Sequence, residues 1–411
     1  MRLLVLSLNT FPYPPSAGAA EGRTFNLLKY LGQRYEVTVV AHKNRNATPE
    51  NIEALESWIK TVKLFPPIGS ELPNDGALGQ IGRLVQFALS ATPPNVAHRF
   101  SPEVYAWVAQ AIEAGKFDAI ICEHSVNEMY VQPGFCDRIP TLVDIHSSVY
   151  GWVKNHLEAG ASENAPRDRL YLPLLARYEK RYCKKFSHLI VTTPDDRQQL
   201  QALVPDAEMT IVSNGVDLDT FTYRGSDPGG QSLILIGAMD SSHNIDAAGF
   251  FARDVFPKLR ARYPQATLSL VGARPVPEVK TLDTLPGVTV TGRVPSITDY
   301  MHQSTVSVVP LRAGLGIKTK TLESMAAGVP VVASDRGLEG LTVDGSDIPL
   351  RAVRANHPDA YVEAISRLFE DADLRQTLSG NARQMIEAEY TWEIAGKRYD
   401  QVLSSIQSRR L

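Results

Sequence analysis

With 411 residues, 44% of them hydrophobic and 21% charged, the chain exceeds what one hydrophobic core holds and is too apolar for disorder, so two folded domains are expected. A net charge of −3 and an isoelectric point near 6.3 argue against a nucleic-acid binder, which would carry a clearly basic domain. Cys122, Cys136 and Cys183 are odd in number and widely spaced, which suits a reducing cytoplasmic setting rather than a disulfide or zinc framework, and no run nears the ~18 apolar residues of a membrane span.

Residues 2–8 form an apolar run stopped by Asn9 and by the prolines that follow, the pattern of a buried parallel strand ending in a loop. Periodicity then predicts a helix over 21–31 and a strand over 37–41. Further strands are expected at 62–65, 119–122, 141–145 and 189–193, with helices at 102–114 and 169–185. Residues 66–101 read as a loop with one apolar helix near 81–89, packed on the domain or facing a lipid or acceptor. After the turn at 214–217 and the glycine-rich 224–231 the pattern restarts, with strands at 233–237, 267–271, 288–291, 306–309 and 329–333 and a helix at 246–262. Strands alternating with helices imply an α/β fold of two Rossmann-like, doubly wound parallel-sheet domains. The domains are set at 1–208 and 209–391, with a final helix from about 392 to 411 that could return to the first.

Two loops place glycine beside a helix start, where backbone N–H groups and the helix dipole favour an anion. The first, residues 16–23, holds Gly18 and Arg23 and could also be a plain strand-to-helix turn. The second passes through Gly314, Leu315, Gly316, Ile317 and Lys318 into a helix starting near Thr319. Glu323 lies i+4 from Thr319 and i+3 from Lys320, so a hydroxyl, an ammonium and a carboxylate share one face. That face suits phosphates and sugar hydroxyls, and a solvated Lys–Glu pair is the plain alternative. His124 and His146 each follow a strand of the first half, where doubly wound sheets gather ligands, and each could instead be a hydrogen-bonded structural residue. Asp217 with Asp219, and Asp371 with Asp373, spell Asp-x-Asp in turn and polar helical contexts, so no metal site is expected. Arg177, Lys180, Arg181, Lys184 and Lys185 make a charged helix face, either solvated or attracted to anionic lipid or a phosphate-bearing acceptor.

The run 316–332, GIKTKTLESMAAGVPVV, closely resembles the donor-site signature of family-4 glycosyltransferases of the GT-B fold. Residues 213–221 (SNGVDLDTF), 234–247 (ILIGAMDSSHNIDA) and 288–295 (VTVTGRVP) resemble the other landmarks of that family, in the same order. The resemblance implies two domains facing a cleft. It also implies retaining, metal-independent transfer of a sugar from a nucleotide diphosphate sugar to a hydroxyl of a glycan, lipid-linked or other acceptor, with no further cofactor. On the family pattern Glu323 binds ribose hydroxyls, the backbone of 315–319 addresses sugar and pyrophosphate, Arg293 and Val294 hold the base, and Gly18 approaches the phosphates. His146 and Lys318 become the candidate catalytic residues, with Arg23 and His124 on the acceptor side. The chain departs from the pattern where many members carry a glutamate, at Leu315, and where many carry an Arg and a Lys after the first strand of the second domain, at 237–244 (GAMDSSHN). Lys318, Lys320 or an arginine of the first domain would then neutralise the diphosphate, and the Gly-Ile-Lys-x-Lys loop marks a subclass. A nucleotide-sugar 2-epimerase of the same architecture and an inactive sugar-nucleotide-binding protein stay as alternatives, and peripheral contact with the inner face of a membrane stays open.

Overall fold

The computed structural model describes residues 1–15, 18–69, 76–158, 162, 164–314 and 316–408. The chain divides into two compact units, Met1–Ser213 with Ala395–Leu411, and Asn214–Ile394.

The first unit contains strands β1 (Arg2–Leu6), β2 (Glu36–His42), β3 (Thr61–Phe65), β4 (Ala119–Glu123), β5 (Thr141–Ile145), β6 (His188–Val191) and β7 (Met209–Ile211), in the sheet order β3-β2-β1-β4-β5-β6-β7. Every pairing is parallel; Val5, for example, lies opposite Val39 on one side and Ile121 on the other. Helices cover both faces, which is why β1, β4, β5 and β6 read as unbroken buried runs rather than alternating ones. Leu4, Leu6, Ile120, Val143 and Ile145 pack with Tyr178 and Tyr182 of the Ala165–Cys183 helix in the main core cluster.

The second unit repeats the design with β8 (Ser232–Ile236), β9 (Thr267–Val271), β10 (Val288–Gly292), β11 (Val306–Val309), β12 (Val331–Ala333) and β13 (Val353–Arg354), in the order β10-β9-β8-β11-β12-β13, again all parallel. Its core joins Leu233, Leu235, Leu268 and Leu270 of the sheet to Phe251, Phe256 and Tyr361 of the helices.

Three details differ from the sequence reading. Met209–Ile211 is the edge strand of the first sheet, so the first unit runs to Ser213 and not to 208; three residues with a threonine at the centre give no periodic signal. The helix expected over 246–262 is two helices, Ser242–Phe250 and Phe256–Arg262, joined by a π-helical turn at Phe251–Val255. Pro257 has no N–H to continue the ladder, and the wider turn keeps Phe251, Ala252 and Val255 buried. Residues 66–101 hold the helix Gly76–Ser90 and the short turn Pro94–Ala97.

The last helix, Trp392–Ser408, starts in the second unit and ends in the first. Its Gly396 sits so close to the Tyr30 ring that a Cβ there would lie 2.2 Å from it. Tyr35 hydrogen-bonds Asp400, and Tyr399 is fully buried. Among the described residues no helix is long and apolar enough to cross a membrane.

Candidate functional site

Doubly wound sheets collect ligands beyond the strand carboxyl ends, at the point where strand order reverses. In the second unit that point lies between β8 and β11. Gly237 follows β8, and a Cβ on it would meet Asn244 at 2.8 Å and Lys320 Nζ at 2.9 Å. Gly272, after β9, lies against the Gly237 backbone, where a Cβ would be 1.7 Å from the Gly237 carbonyl oxygen. β11 leads into the helix Thr319–Ala326 through Gly314 and Gly316, whose φ values of +107° and +78° disfavour any side chain. The helix is fixed from behind by the Ser307–Ser324 hydroxyl pair at 2.8 Å, by Thr321 Oγ1 donating to the Gly337 carbonyl at 2.8 Å, and by buried Leu322 and Met325. Its N-cap is Lys318, which offers no side-chain acceptor to the first N–H groups.

Lys320 donates to Asn244 Oδ1, and Asn244 Nδ2 donates to the Ala238 carbonyl at 2.9 Å. Among the described residues the Glu323 carboxylate makes no hydrogen bond, and Lys320 is the charge that acts on it. Burial pushes Glu323 up to about 7 against the pull of Lys320. Burial likewise lowers Lys320 to about 8, opposed by Glu323 and reinforced by Lys318. Both groups are drawn toward neutrality, the electrostatic mark of functional sites. Lys318 Nζ donates to the Gly316 carbonyl at 2.5 Å and pairs at 3.3 Å with Glu339, which Arg336 also holds at 3.4 Å.

In the first unit the strand order reverses between β1 and β4. Asn127 Nδ2 ties the two strand ends together, donating to the Leu6 carbonyl at 3.3 Å and to Asn9 Oδ1 at 2.8 Å. β4 ends in Glu123, whose Oε2 accepts from Thr24 Oγ1 at 3.0 Å and contacts His146 Nε2 at 3.3 Å. His124 has a φ of +67°, and its Nδ1 accepts the Val126 N–H at 3.4 Å. Burial, with His146 and Arg99 adding to it, depresses His124 to about 3. It is therefore a neutral imidazole whose proton, given the Val126 bond, sits on Nε2. The His124 and His146 rings meet edge-on at 5.1 Å, and Thr192 Oγ1 holds the His146 carbonyl at 3.1 Å. Behind them Arg23 donates to both oxygens of Asp144, at 2.9 and 3.1 Å, and both side chains are buried. Glu123, Asp144 and His146 offer ligand atoms within 4.8 Å of one another, but the Arg23 guanidinium already supplies the cation to Asp144. A cavity of about 240 Å³ opens beside Asn9 and Asn127, lined also by Lys43, Arg99 and Tyr130.

Comparison with known proteins accounts for both halves. Residues 20–220 match the family profile described as Glycosyltransferase Family 4, and residues 230–371 match that described as Glycosyl transferases group 1. Each half of the chain thus carries a glycosyltransferase domain. A putative glycosyltransferase YtcC of Bacillus subtilis is 36% identical over 84 residues, 20% of this chain and 21% of that protein. The phosphatidyl-myo-inositol mannosyltransferase of Mycolicibacterium smegmatis is 26% identical over 218 residues, 51% of this chain and 55% of that protein. The chain thus spans from about a fifth to about half the length of these curated relatives. Anabaena Alr3699/HepE, solved in complex with UDP, shares the fold with a TM-score of 0.65 at 17% identity, covering 98% of this chain and 100% of that one. WaaG, a glycosyltransferase involved in lipopolysaccharide biosynthesis, does so with a TM-score of 0.63 at 14% identity, over 97% and 98%.

Within this GT-B chain the expected site residues fall into distinct groups. Gly316, Lys318, Thr319, Lys320 and Glu323 gather at the turn into one helix, while Ile317 is buried beside Leu322 and Leu338 and anchors the loop. Arg293 is exposed after β10, and Val294 packs on Ile236, Val271 and Val329. Leu315 lies outside the described residues. Gly18 caps the Ala19–Gly32 helix with an extended φ of −176° that any residue adopts, so its conformation does not require glycine. Arg23, expected on the acceptor side, is instead turned inward to Asp144, because two buried opposite charges must pair. Asp217 holds the turn at Asp219 and Thr220, and Asp371 caps the Ala372–Glu389 helix; both carboxylates are engaged in local structure. Glu123, Asp144, Thr24 and Glu339 were not singled out from sequence. The first two carried a signal, a carboxylate at the end of one apolar strand run and inside another; Glu339 carried none.

Glu323 in the folded chain titrates near 7 against an ordinary value of 4.5. Its ionised form therefore destabilises the fold fully above about pH 7 and not at all below about 4.5. Glu323→Gln is expected to be more stable than the parent by about 1–2 kcal/mol at pH 8, the gap closing toward pH 5. Urea titrations at the two pH values measure it, and a gap that stays constant or widens on acidification would show that burial does not strain this carboxylate.

Proposed function

We propose that the chain is a retaining, metal-independent glycosyltransferase that moves a sugar from a nucleotide diphosphate sugar to a hydroxyl of a glycan or lipid-linked acceptor. The observation that carries this reading is the Lys320–Glu323 pair at the reversal point of the group-1 domain, half-buried, with both groups drawn toward neutrality and no hydrogen bond to the carboxylate among the described residues. Vicinal ribose hydroxyls would donate to Glu323, giving the carboxylate the partners that justify its ionisation. Lys320, Lys318 and the N–H groups opening the Thr319–Ala326 helix would face the diphosphate, whose charge grows as the sugar leaves. Arg293 and Val294 would border the base.

The family-4 domain would receive the acceptor, in the cavity beside Asn9 and Asn127 that Lys43 and Arg99 also line. The acceptor oxygen bonds to the anomeric carbon as the bond from that carbon to the diphosphate oxygen breaks, and the acceptor proton passes to the departing phosphate oxygen. His124 Nε2–H donates to a sugar or acceptor hydroxyl, and His146, held at Nε2 by Glu123, presents Nδ1 to accept from another hydroxyl. Relatives support a nucleoside diphosphate as the shared chemistry: a Corynebacterium glutamicum mannosyltransferase is described as GDP-mannose-dependent, and HepE structures contain UDP and UDP-glucose. Three cysteines of no paired pattern favour a reducing, cytoplasmic setting for the reaction.

A melting-temperature screen against nucleotide diphosphate sugars should single out one donor, since a ligand at 100 times its dissociation constant stabilises by about 2.7 kcal/mol. Glu323→Gln should weaken that donor about 10- to 150-fold, and an unchanged dissociation constant would remove Glu323 from the ribose. His146→Gln should lower kcat by about 10²–10⁴ at unchanged donor affinity; a melting temperature that drops along with activity would mark it as structural. Turnover should persist in EDTA, and loss restored by Mg²⁺ or Mn²⁺ would overturn the metal-free mechanism.

A further inference from the structure

The Gly76–Ser90 helix of the first unit buries Phe87, whose ring meets Tyr171 edge-on at 5.4 Å and packs with Val153 and Leu175. Its outer face carries Ile81, Val85 and Leu89 at a spacing of one helical turn, 58%, 52% and 77% exposed. Single exposed apolar residues are ordinary, but a stripe of three along one helix is the pattern of a contact surface. Among the described residues, the helix packed beside that stripe presents mainly basic side chains to solvent, with the exposed acids Asp137 and Glu158 on neighbouring elements. Arg177 donates to the Ala88 carbonyl at 3.0 Å and Arg181 to that of Ser90, which seats both guanidinium groups on either side of Leu89. Along the Ala165–Cys183 helix and its cap, the exposed charged residues are Arg167, Arg169, Arg177, Lys180, Arg181 and Lys184. The two acids of that helix, Asp168 and Glu179, are buried. Residues 76–102 contain no acid at all. This concentration of positive charge stands in a chain whose net charge is −3.

An apolar helix stripe flanked by basic side chains matches one partner best. We propose that this face docks on an anionic lipid bilayer, with Ile81, Val85 and Leu89 entering the headgroup layer and the lysines and arginines facing lipid phosphates. A second copy of the chain fits poorly, because a two-fold interface would set this face against itself and bring like charges together. The proposal rests on exposure and charge alone and stands apart from the donor-site reading.

Flotation with phosphatidylcholine vesicles, with and without phosphatidylglycerol, tests it. The full chain should bind only the phosphatidylglycerol-containing vesicles, and less at high salt. Val85→Ser with Leu89→Ser should lower partitioning about ten-fold or more, and Lys180→Gln with Lys184→Gln about five-fold for each charge removed. Melting temperatures and donor-induced shifts should match the parent in both variants, which separates failure here from failure of the donor site. Absence of binding to phosphatidylglycerol vesicles, or full binding by the Val85→Ser, Leu89→Ser variant, would overturn the proposal. So would a dimer in sedimentation that this variant dissolves without changing vesicle binding, which would assign the face to a second copy.

Discussion

Parallel strands joined by helical crossovers all deliver their carboxyl ends to one edge of a sheet, and where strand order reverses, the loops leaving two neighbours must diverge. That geometric constraint organises both halves of this chain. In the second unit the backbone after β8 lies against the backbone after β9, an approach that the absence of a side chain at Gly272 permits. The room left by the missing Gly237 side chain is where Lys320 and Asn244 meet. A methyl group there would push the ammonium off its partner. The helix bearing Lys320 is held by hydroxyl bonds and buried apolar residues on its far side, so its charged face keeps a fixed position without help from a ligand.

The two reversal points treat charge differently. At the reversal point of the first unit Asp144 has Arg23 in a two-point contact, and Glu123 has Thr24 and His146 as hydrogen-bond partners. Removing one partner from such a pair typically costs about 3–5 kcal/mol, so these residues position the His124–His146 edge rather than react. In the second unit Glu323 has Lys320 as the one charge acting on it, while Lys320 has Glu323, the like charge of Lys318 and one amide oxygen. Electrostatics left incomplete in the folded state are what a charged, hydroxyl-rich ligand can complete.

Strand positions were legible because buried parallel strands are short apolar runs with turn residues at both ends; β5, β9 and β11 stand where periodicity put them. The Gly316–Glu323 loop and helix were legible because two glycines before two lysines is a local pattern. What escaped was set by distance along the chain. Asp144 meets Arg23 across 121 positions and Glu123 meets Thr24 across 99, and no local pattern announces such pairs. The inward turn of Arg23 follows from the buried Asp144 and from nothing nearby in sequence. The π-helical turn before Pro257 was visible in principle, since a proline inside a periodic run must break the ladder, yet whether it kinks, ends or widens the helix is decided by packing of Phe251 and Val255.

Lys320 and Glu323 also constrain one another through pH. On the proposed donor reading, an ionised Glu323 is the stronger acceptor for ribose hydroxyls and a protonated Lys320 the better partner for a diphosphate. In the free chain burial works against both charges at once, raising the proton affinity of Glu323 and lowering that of Lys320. A bound diphosphate would raise the proton affinity of Lys320, and hydroxyl donors would lower that of Glu323, so both shifts would favour the charged pair. Proton uptake at the lysine and release at the glutamate would then partly offset each other. Lys318 keeps its own acid, Glu339, and that acid is shared with Arg336. An incoming anion therefore meets one cation already neutralised by a fixed partner and another, Lys320, whose charge is tuned by the carboxylate one turn along the same helix.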